Sequence, residues 1–486
     1  MNVGRALDPA VDLVPERTAL IVGDRRCSYR DLDRWVRRVA AALTARGVGP
    51  GDRVALVDNA SILSAATILA AARIGAASAQ MNVMLTTDEV SQLATAVDAR
   101  VGVAGEQFRA SLGAALGDDA VLGEDEVAGG EDGERDLTAD GVADADDALV
   151  LFTSGTTGLP KPVAISHGVI AERLGFYAAP IDADAPPVVD MLSAPIFHIG
   201  GTLGLIIGLR AGRTVVMLPR FSAAAWLKAV EEHRVSQTFI VPTMLQRILD
   251  HPDLPGRDLS SLRQLSYGAA AAPVALVERA LDALPDVGFV NVFGQTETLG
   301  AYAALSAEDH RARRKLGSAG LPLPGVELRI VDVVTETDCR AGEIGQVWVR
   351  AAQNVTSDWL RTGDLAFLDA DGYLHPAGRI ADTINRGGEK LGPIEVEEVL
   401  RRHPAVRDAG VCGVPDPELG QRVAAVVVTV NGEAIDPDDL RAFAAERLAR
   451  YKLPDRIVFA DDLPYSNLGK VSRAALAAVI LADEGS

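Results

Sequence analysis

Over residues 28–57 the hydrophobic positions first repeat at helical spacing and then run together. Leu32, Trp35, Val36, Val39, Ala40 and Leu43 fall three and four positions apart, and Ser28 stands three positions before Asp31 as a capping signal. Gly47-Val-Gly-Pro-Gly51 ends that helix, and residues 53–57 form a short apolar run of strand type. An alanine-rich helix to about Arg73, a small strand and a helix over about 87–97 come next. Helix and strand alternating through short glycine-containing links predict a mainly parallel sheet covered by helices, an α/β fold. Residues 123–147 have no apolar period and read as a solvated surface connection. Past Gly378 the pattern changes to a helix around 393–403, strands near 408–414 and 423–430, a helix near 437–450 and a last helix from about Ser472. Asp436 is placed to cap the middle helix, and Pro437 suits its first position. Two strands and three helices in this last hundred or so residues predict a small α+β domain beside a large one.

Composition narrows the field. Hydrophobic residues make up 48% and charged residues 23%, an ordinary globular balance that excludes disorder of the whole chain. The formal charge is −20, and between Asp118 and Asp147 there are 13 acidic residues against one basic, Arg135. Such a field repels nucleic-acid backbones and anionic lipid, so neither a nucleic-acid partner nor a polybasic membrane anchor is expected, while a small anion can still bind locally. Cys27, Cys339 and Cys412 are far apart and belong to no CxxC pair, which argues against a disulfide framework or a zinc site. Residues 1–20 carry Arg5, Asp8, Asp12, Glu16 and Arg17 and leave no room for the apolar core of a signal peptide. The longest apolar stretch, 192–209, contains Pro195, His198 and four glycines, a poor membrane span. A cytoplasmic protein is expected.

The strongest local signal is Thr153-Ser-Gly-Thr-Thr-Gly-Leu-Pro-Lys161, directly after the apolar run 148–152. Strand, then a loop of hydroxyls and glycines, then lysine brings backbone close to phosphate oxygens. Thr153, Ser154, Gly155, Thr156, Thr157, Gly158 and Lys161 are therefore candidate phosphate-binding residues. The GxxxxGK[ST] spacing of a Walker loop is absent, and an ordinary Gly/Thr turn is the plain alternative.

At this loop the chain resembles the adenylate-forming superfamily of acyl-CoA synthetases, aryl-acid and amino-acid adenylation domains and luciferases. The resemblance continues in order through Pro195-Ile-Phe-His-Ile-Gly200, Tyr267-Gly-Ala-Ala270, Asn291-Val-Phe-Gly-Gln-Thr-Glu297, Trp359-Leu-Arg-Thr-Gly-Asp364, Gly378-Arg379, Ile384-Asn-Arg-Gly-Gly-Glu-Lys390 and Leu468-Gly-Lys470. It implies a large multi-lobed N-terminal adenylation domain over residues 1–380 and a small mobile C-terminal α+β domain over 381–486. The substrates and cofactors it implies are ATP, Mg²⁺, CoA and a small carboxylic acid.

By this resemblance Asp364 accepts both ribose hydroxyls, which suits a group that has only acceptors, and Arg379 contacts the same ribose at the domain junction. Glu297 holds Mg²⁺ and Thr296 the α-phosphate, a hard cation on hard oxygen ligands. Gly268, Ala269 and Ala270 line the acyl and adenine sites, with Asn291, Phe293 and Gly294 near the nucleotide. Lys470, in a Gly-Lys-x-x-Arg context with Arg473, reaches the α-phosphate and the carboxylate being activated, stabilising charge without acting as a base. Gly387 and Gly388 belong to the thiol passage. His198 lines or gates the acyl pocket, or is a core histidine satisfied by backbone.

Four departures from the pattern bear on function. Amino-acid adenylation domains carry an aspartate where this chain has His198, so nothing offers to hold an α-ammonium group. Phe293 replaces the usual tyrosine, and Ala381 stands where the hinge usually has Asp or Lys. Between Arg350 and Trp359 a glycine-tyrosine motif and a short helix are missing, which shortens a wall of the large domain. The implied reaction is carboxylate plus ATP giving acyl-AMP and pyrophosphate, then thiol attack giving acyl-CoA and AMP. Transfer to a carrier-protein phosphopantetheine or another nucleophile is the alternative within the family, and a non-catalytic nucleotide-binding or scaffold protein that has kept the fold is the alternative of a different functional class.

Overall fold

The computed structural model describes residues 1–133, 141–153, 159–177, 180–356, 358–432, 435–465 and 471–484. Two helix-covered sheets dominate the first 320 or so residues. In the six-stranded sheet the order is Val121–Leu122, Ala99–Ala104, Arg53–Val57, Ala77–Gln80, Asp147–Thr153 and Lys161–Ser166, parallel except for the last pair. In the nine-stranded sheet six strands from Gly288–Gln295 to Thr18–Val22 run parallel, and antiparallel strands close both edges. Helix Ile62–Arg73 lies between these sheets, and all of its residues are buried. Its small alanines let both layers approach, so one apolar cluster contains Val54, Leu56 and Leu149 of one sheet and Leu20, Val215 and Met217 of the other.

The predicted α/β alternation is present: Ser28 accepts a hydrogen bond from Asp31 N and caps helix Tyr29–Ala45, which buries Leu32, Val36, Val39, Ala40 and Leu43. Arg73, only 1% exposed, ends the central helix between Asp8 at 2.8 Å and Asp33 at 3.2 Å. The acidic segment departs from expectation. It contains helix Glu124–Ala128, and its Glu124, Glu126 and Asp132 pair with Arg25, Arg109, and Arg34 and Arg38. Guanidinium groups projecting from neighbouring elements pair with its acidic residues, and among its described residues Val127 alone reaches the apolar core.

An antiparallel four-stranded sheet follows: Glu327–Val331, Gly345–Arg350, Leu360–Leu368 and Leu374–Arg379. The last unit is built on the long hairpin Val406–Asp416 and Gly420–Thr429. Helix Pro393–Arg401 packs on one cluster of that sheet, and helix Arg473–Glu484 contributes Leu476 and Ile480 to another. Asp436 caps helix Pro437–Ala445, as its sequence predicts. The sheet has five strands rather than two, because the short Ile384–Arg386, Glu389–Leu391 and Arg456–Phe459 add to it. Near the end of the last strand of the antiparallel sheet, just before this unit, stands Gly378, with φ +132°, a conformation only glycine adopts without strain. The apolar stretch 192–209 runs from the end of strand Val189–Leu192 through a short link into helix Ile199–Arg210, and among the described residues no helix is long and apolar enough to cross a membrane.

Candidate active site

Adjacent parallel strands deliver the central residues. Tyr267 pairs with Asn291 and Gly268 with Val292, so Gly268, Ala269 and Ala270 leave one strand beside Phe293, Gly294 and Gln295 at the end of the next. A crevice at the carboxyl ends of parallel strands is where open α/β sheets bind ligands. The two backbones are tightly apposed: a Cβ at Gly268 would stand 2.1 Å from Val292 O, and one at Gly294 1.9 Å from Gly300 O. Ala269 takes φ +66°, unusual for a residue with a side chain.

Beneath that turn, Tyr267 is fully buried and its hydroxyl donates to His310 Nε2 at 2.9 Å, while His310 Nδ1–H donates to Ser306 O at 2.7 Å. Burial holds the His310 pKa below its ordinary value, so the ring is neutral and both nitrogens are used. Asn291 is turned to the frame, its amide donating to Ser318 O at 3.2 Å. Phe293 packs edge-on against Tyr302 at 5.3 Å, an apolar contact in place of a hydroxyl.

Thr296 and Glu297 open the single turn Thr296–Thr298, where Thr298 donates to Gly300 O at 2.6 Å. The short 351–358 crossover runs beside it. Val355 N donates to Glu297 O at 3.0 Å, Gln353 Nε2 to Ala301 O at 3.2 Å and Asn354 Nδ2 to Val349 O at 3.0 Å. Gln353 and Asn354 are 2% and 3% exposed. Thus two buried amides anchor this stretch, Gln353 to the strand that follows the Glu297 turn and Asn354 to the strand before the crossover, and Val355 ties it to the turn itself. A cavity of about 420 Å³ lies alongside, lined by Val169, Glu327, Arg350, Ala351 and Val355 among others.

Asp364 and Arg379 face each other in the register of a hairpin, and Arg379 Nε donates to Asp364 Oδ1 at 2.7 Å. Asp364 is 8% exposed. Burial opposes the Arg379 charge, but Asp364, Asp382 and Glu297 together hold its pKa above the usual value. Asp364, Arg379 and Glu297 therefore share one electrostatic neighbourhood although two come from paired strands and the third from a distant turn.

His198 is the N-cap residue of helix Ile199–Arg210 and is half-buried. Its carbonyl accepts from Gly201 N at 3.0 Å and Thr202 N at 3.1 Å, and its ring lies 4.6 Å from that of Phe197. Thr153 ends its strand opposite Lys161, which begins the next. Ser154, Gly155, Thr156, Thr157 and Gly158 lie outside the described residues, as does Lys470. Gly387 and Gly388 form the turn of hairpin 384–391 at φ +61° and +96°, and nothing lies within 4 Å of a Cβ built at Gly388. Gly387 N donates to Leu419 O at 2.8 Å and Gly388 N to Asn385 Oδ1 at 3.1 Å.

Sequence reasoning missed the Tyr267–His310 pair, the buried Gln353 and Asn354, and the direct Asp364–Arg379 contact. His310, Gln353 and Asn354 carry no motif, and the Tyr267 motif does not announce its partner. The third was legible only as two residues assigned to one ribose.

A large α/β unit with these motifs on its strand ends, followed by a small α+β unit, defines an adenylate-forming enzyme. Comparison with known proteins gives the family: residues 7–357 match AMP-binding enzyme, and 395–470 match AMP-binding enzyme C-terminal domain. The chain belongs to the AMP-binding enzyme family and is of its acyl-CoA synthetase type. It is similar to feruloyl-CoA synthase of Amycolatopsis sp, 35% identical with 94% of each chain covered. It is also similar to fatty acid–[acyl-carrier-protein] ligase ScoC of Streptomyces coeruleorubidus, 32% identical with 95% of this chain and 93% of that one covered. Among solved structures, amide bond synthetase McbA from Marinactinospora thermotolerans superposes with a TM-score of 0.87 at 29% identity, covering 98% of this chain and 99% of that one.

Proposed function

We propose that this chain activates a small carboxylic acid with ATP, giving acyl-AMP and pyrophosphate, and then transfers the acyl group to CoA, giving acyl-CoA and AMP. The observation that carries the nucleotide site is the buried Asp364 carboxylate: Arg379 takes one oxygen at 2.7 Å, and a carboxylate has acceptor capacity left for ribose hydroxyls. Gly268, Ala269 and Ala270 lie against the base and the acyl group, where small residues and a tight backbone leave room for a flat ring. Phe293 and Gly294 stand beside them, and Asn291 acts through the frame. Thr153 to Gly158 and Lys161 enclose the phosphates, and Thr296 donates to the α-phosphate.

Magnesium fits this donor set. Among the described residues no group of three His, Cys, Asp or Glu side chains could hold a metal by itself, but Mg²⁺ characteristically takes one or two carboxylates plus substrate phosphates and waters. Glu297, half-buried on a turn fixed by Val355, would hold it, and the cation would neutralise phosphate charge.

A carboxylic acid is already ionised at neutral pH, so adenylation needs charge stabilisation rather than a general base. Lys470 supplies that charge. His198 borders the acyl and thiol passage, and Gly387–Gly388 leave space for a pantetheine arm. The boundary at residue 380, next to Gly378 and Arg379, lets the C-terminal domain serve the two half-reactions in turn. Supply of ATP and CoA, with three free cysteines, fits a cytoplasmic setting.

Acid-dependent ATP–pyrophosphate exchange over a panel of carboxylic acids, followed by thioester formation with CoA, tests the proposal. No acid-dependent exchange refutes it. The similarity to a carrier-protein ligase and an amide synthetase supports a second reading for the acceptor: acyl-AMP that forms but never reacts with CoA would favour a carrier-protein thiol or an amine.

A further inference from the structure

The short crossover between strands Gly345–Arg350 and Leu360–Leu368 carries a buried acceptor with nothing to accept from. Asn354 donates through Nδ2 to Val349 O at 3.0 Å, and among the described residues its Oδ1, buried as well, has no hydrogen-bond partner. Val349 O can only accept, so the amide cannot turn over, and its oxygen is directed away from that carbonyl. An unpaired acceptor in the interior bears the whole loss of its hydration, whereas a leucine of similar size would bear none. Asn354 also lines the cavity of about 420 Å³ beside the crossover. That volume lies in the range of small-molecule sites, roughly 300–1,000 Å³. The remaining walls narrow the chemistry. Val169, Ala351, Ala352 and Val355 give the cavity small apolar surfaces. Its charged groups are already engaged: Arg350 donates from Nε and Nη2 to Glu327 at 3.1 and 2.6 Å, and its guanidinium stands 4.7 Å from the Trp359 ring. An anion would have to displace Glu327 and a cation Arg350, so the space suits an uncharged body. The one group it lacks is a hydrogen-bond donor for Asn354.

We propose that this cavity is a binding site for an uncharged hydroxyl-bearing group, an alcohol or phenol on a small apolar body, whose hydroxyl donates to Asn354 Oδ1. Val355, the next residue, lines the same cavity and donates its N–H to Glu297 O at 3.0 Å, so the occupant lies against the stretch that fastens the Glu297 turn. Two sources carry this chemistry: the end of the acid remote from its carboxylate, and a separate small molecule. The site itself does not depend on the reaction proposed above; only its assignment to the acid rests on that reading.

The test is calorimetric titration of the full chain, without nucleotide, with phenol and with toluene, which has the same shape and no donor. Phenol should bind about tenfold more tightly although toluene is the more apolar, the scale of satisfying one buried acceptor. In Asn354→Leu the preference for phenol disappears. Ala352→Phe, at an exposed position where folding is not at stake, puts a ring into the cavity and weakens both probes by about tenfold or more. The source is then read from ATP–pyrophosphate exchange with pairs of acids that differ by one terminal hydroxyl. If the acid occupies the cavity, phenol raises its KM, and Asn354→Leu raises the KM of the hydroxylated member alone. If a separate molecule does, phenol binds and leaves the KM of every acid unchanged. Both results require the site and name its source. No binding of phenol, equal binding of phenol and toluene, or a preference that persists in Asn354→Leu overturns the proposal. Absence of exchange with every acid refutes the reaction proposed above, and the titrations, made without nucleotide, still decide the site.

Discussion

Asp364→Asn isolates the nucleotide site, since it keeps the shape of the side chain and removes its charge. In the free protein the carboxylate is 8% exposed and accepts from Arg379 at 2.7 Å. A charge-assisted hydrogen bond contributes ~1.5–3 kcal/mol, and the lower part of that range applies to folding stability because the Arg379 side chain is 47% exposed and screened by water. The full range applies once bound ATP excludes that water and the carboxylate accepts from the ribose. Binding of a non-hydrolysable ATP analogue, followed by calorimetry, should therefore weaken by about 10- to 150-fold. Inorganic tripolyphosphate, which has the phosphates and no ribose, serves as the control and should bind the variant and the parent alike. A change of less than twofold for the ATP analogue, or an equal loss for tripolyphosphate, would show that Asp364 does not hold the ribose.

Gly388→Leu, with φ +96° and open space around its Cβ, should leave pyrophosphate release intact and stall thioester formation, read by quantifying both products; a loss confined to adenylation would refute the assignment of that turn to the thiol passage. Arg73→Met should destabilise the N-terminal unit by about 3–5 kcal/mol, because Asp8 and Asp33 lose a buried partner; chemical denaturation showing less than 1 kcal/mol would contradict the buried pairing. Burial holds the pKa values of His167, His233 and His310 below the ordinary value. The unfolded chain then takes up protons first as pH falls below about 6.5, so stability is full above that value and declines beneath it. Asp58, pushed up to about 6 by burial, works in the opposite direction between about 4 and 6 and offsets part of the loss. Melting temperatures over that range should fall with pH, and less steeply in His310→Gln; an unchanged slope would exclude His310 as a contributor.

Local physics made much of the architecture legible. Helix Tyr29–Ala45 announces itself by its apolar period and by Ser28, helix Pro437–Ala445 by Asp436 and Pro437, because these signals act within a turn or two of the chain. The order of motifs, from the hydroxyl-rich loop after strand Asp147–Thr153 to the double glycine of hairpin 384–391, identifies the class of enzyme by resemblance. What only the tertiary structure decided is whatever depends on partners distant in sequence. Ile384–Arg386 and Glu389–Leu391 are too short and too polar to read as strands, and pairing with each other and with Gly420 makes them so. Glu124–Ala128 offers only Val127 to the core, and arginines from two other elements pair with its acidic residues. Asp364 meets Arg379 through a hairpin register that includes a bulge after Leu365, which no residue spacing announces. Tyr465 bonds to Asp408 from 57 positions away, and Arg473 to Glu397 from 76. A side chain's local pattern reports only whether it tends toward water or toward the core; its partner is chosen when sheets and helices pack, and that packing brings Asp364, Arg379 and Glu297 into one neighbourhood.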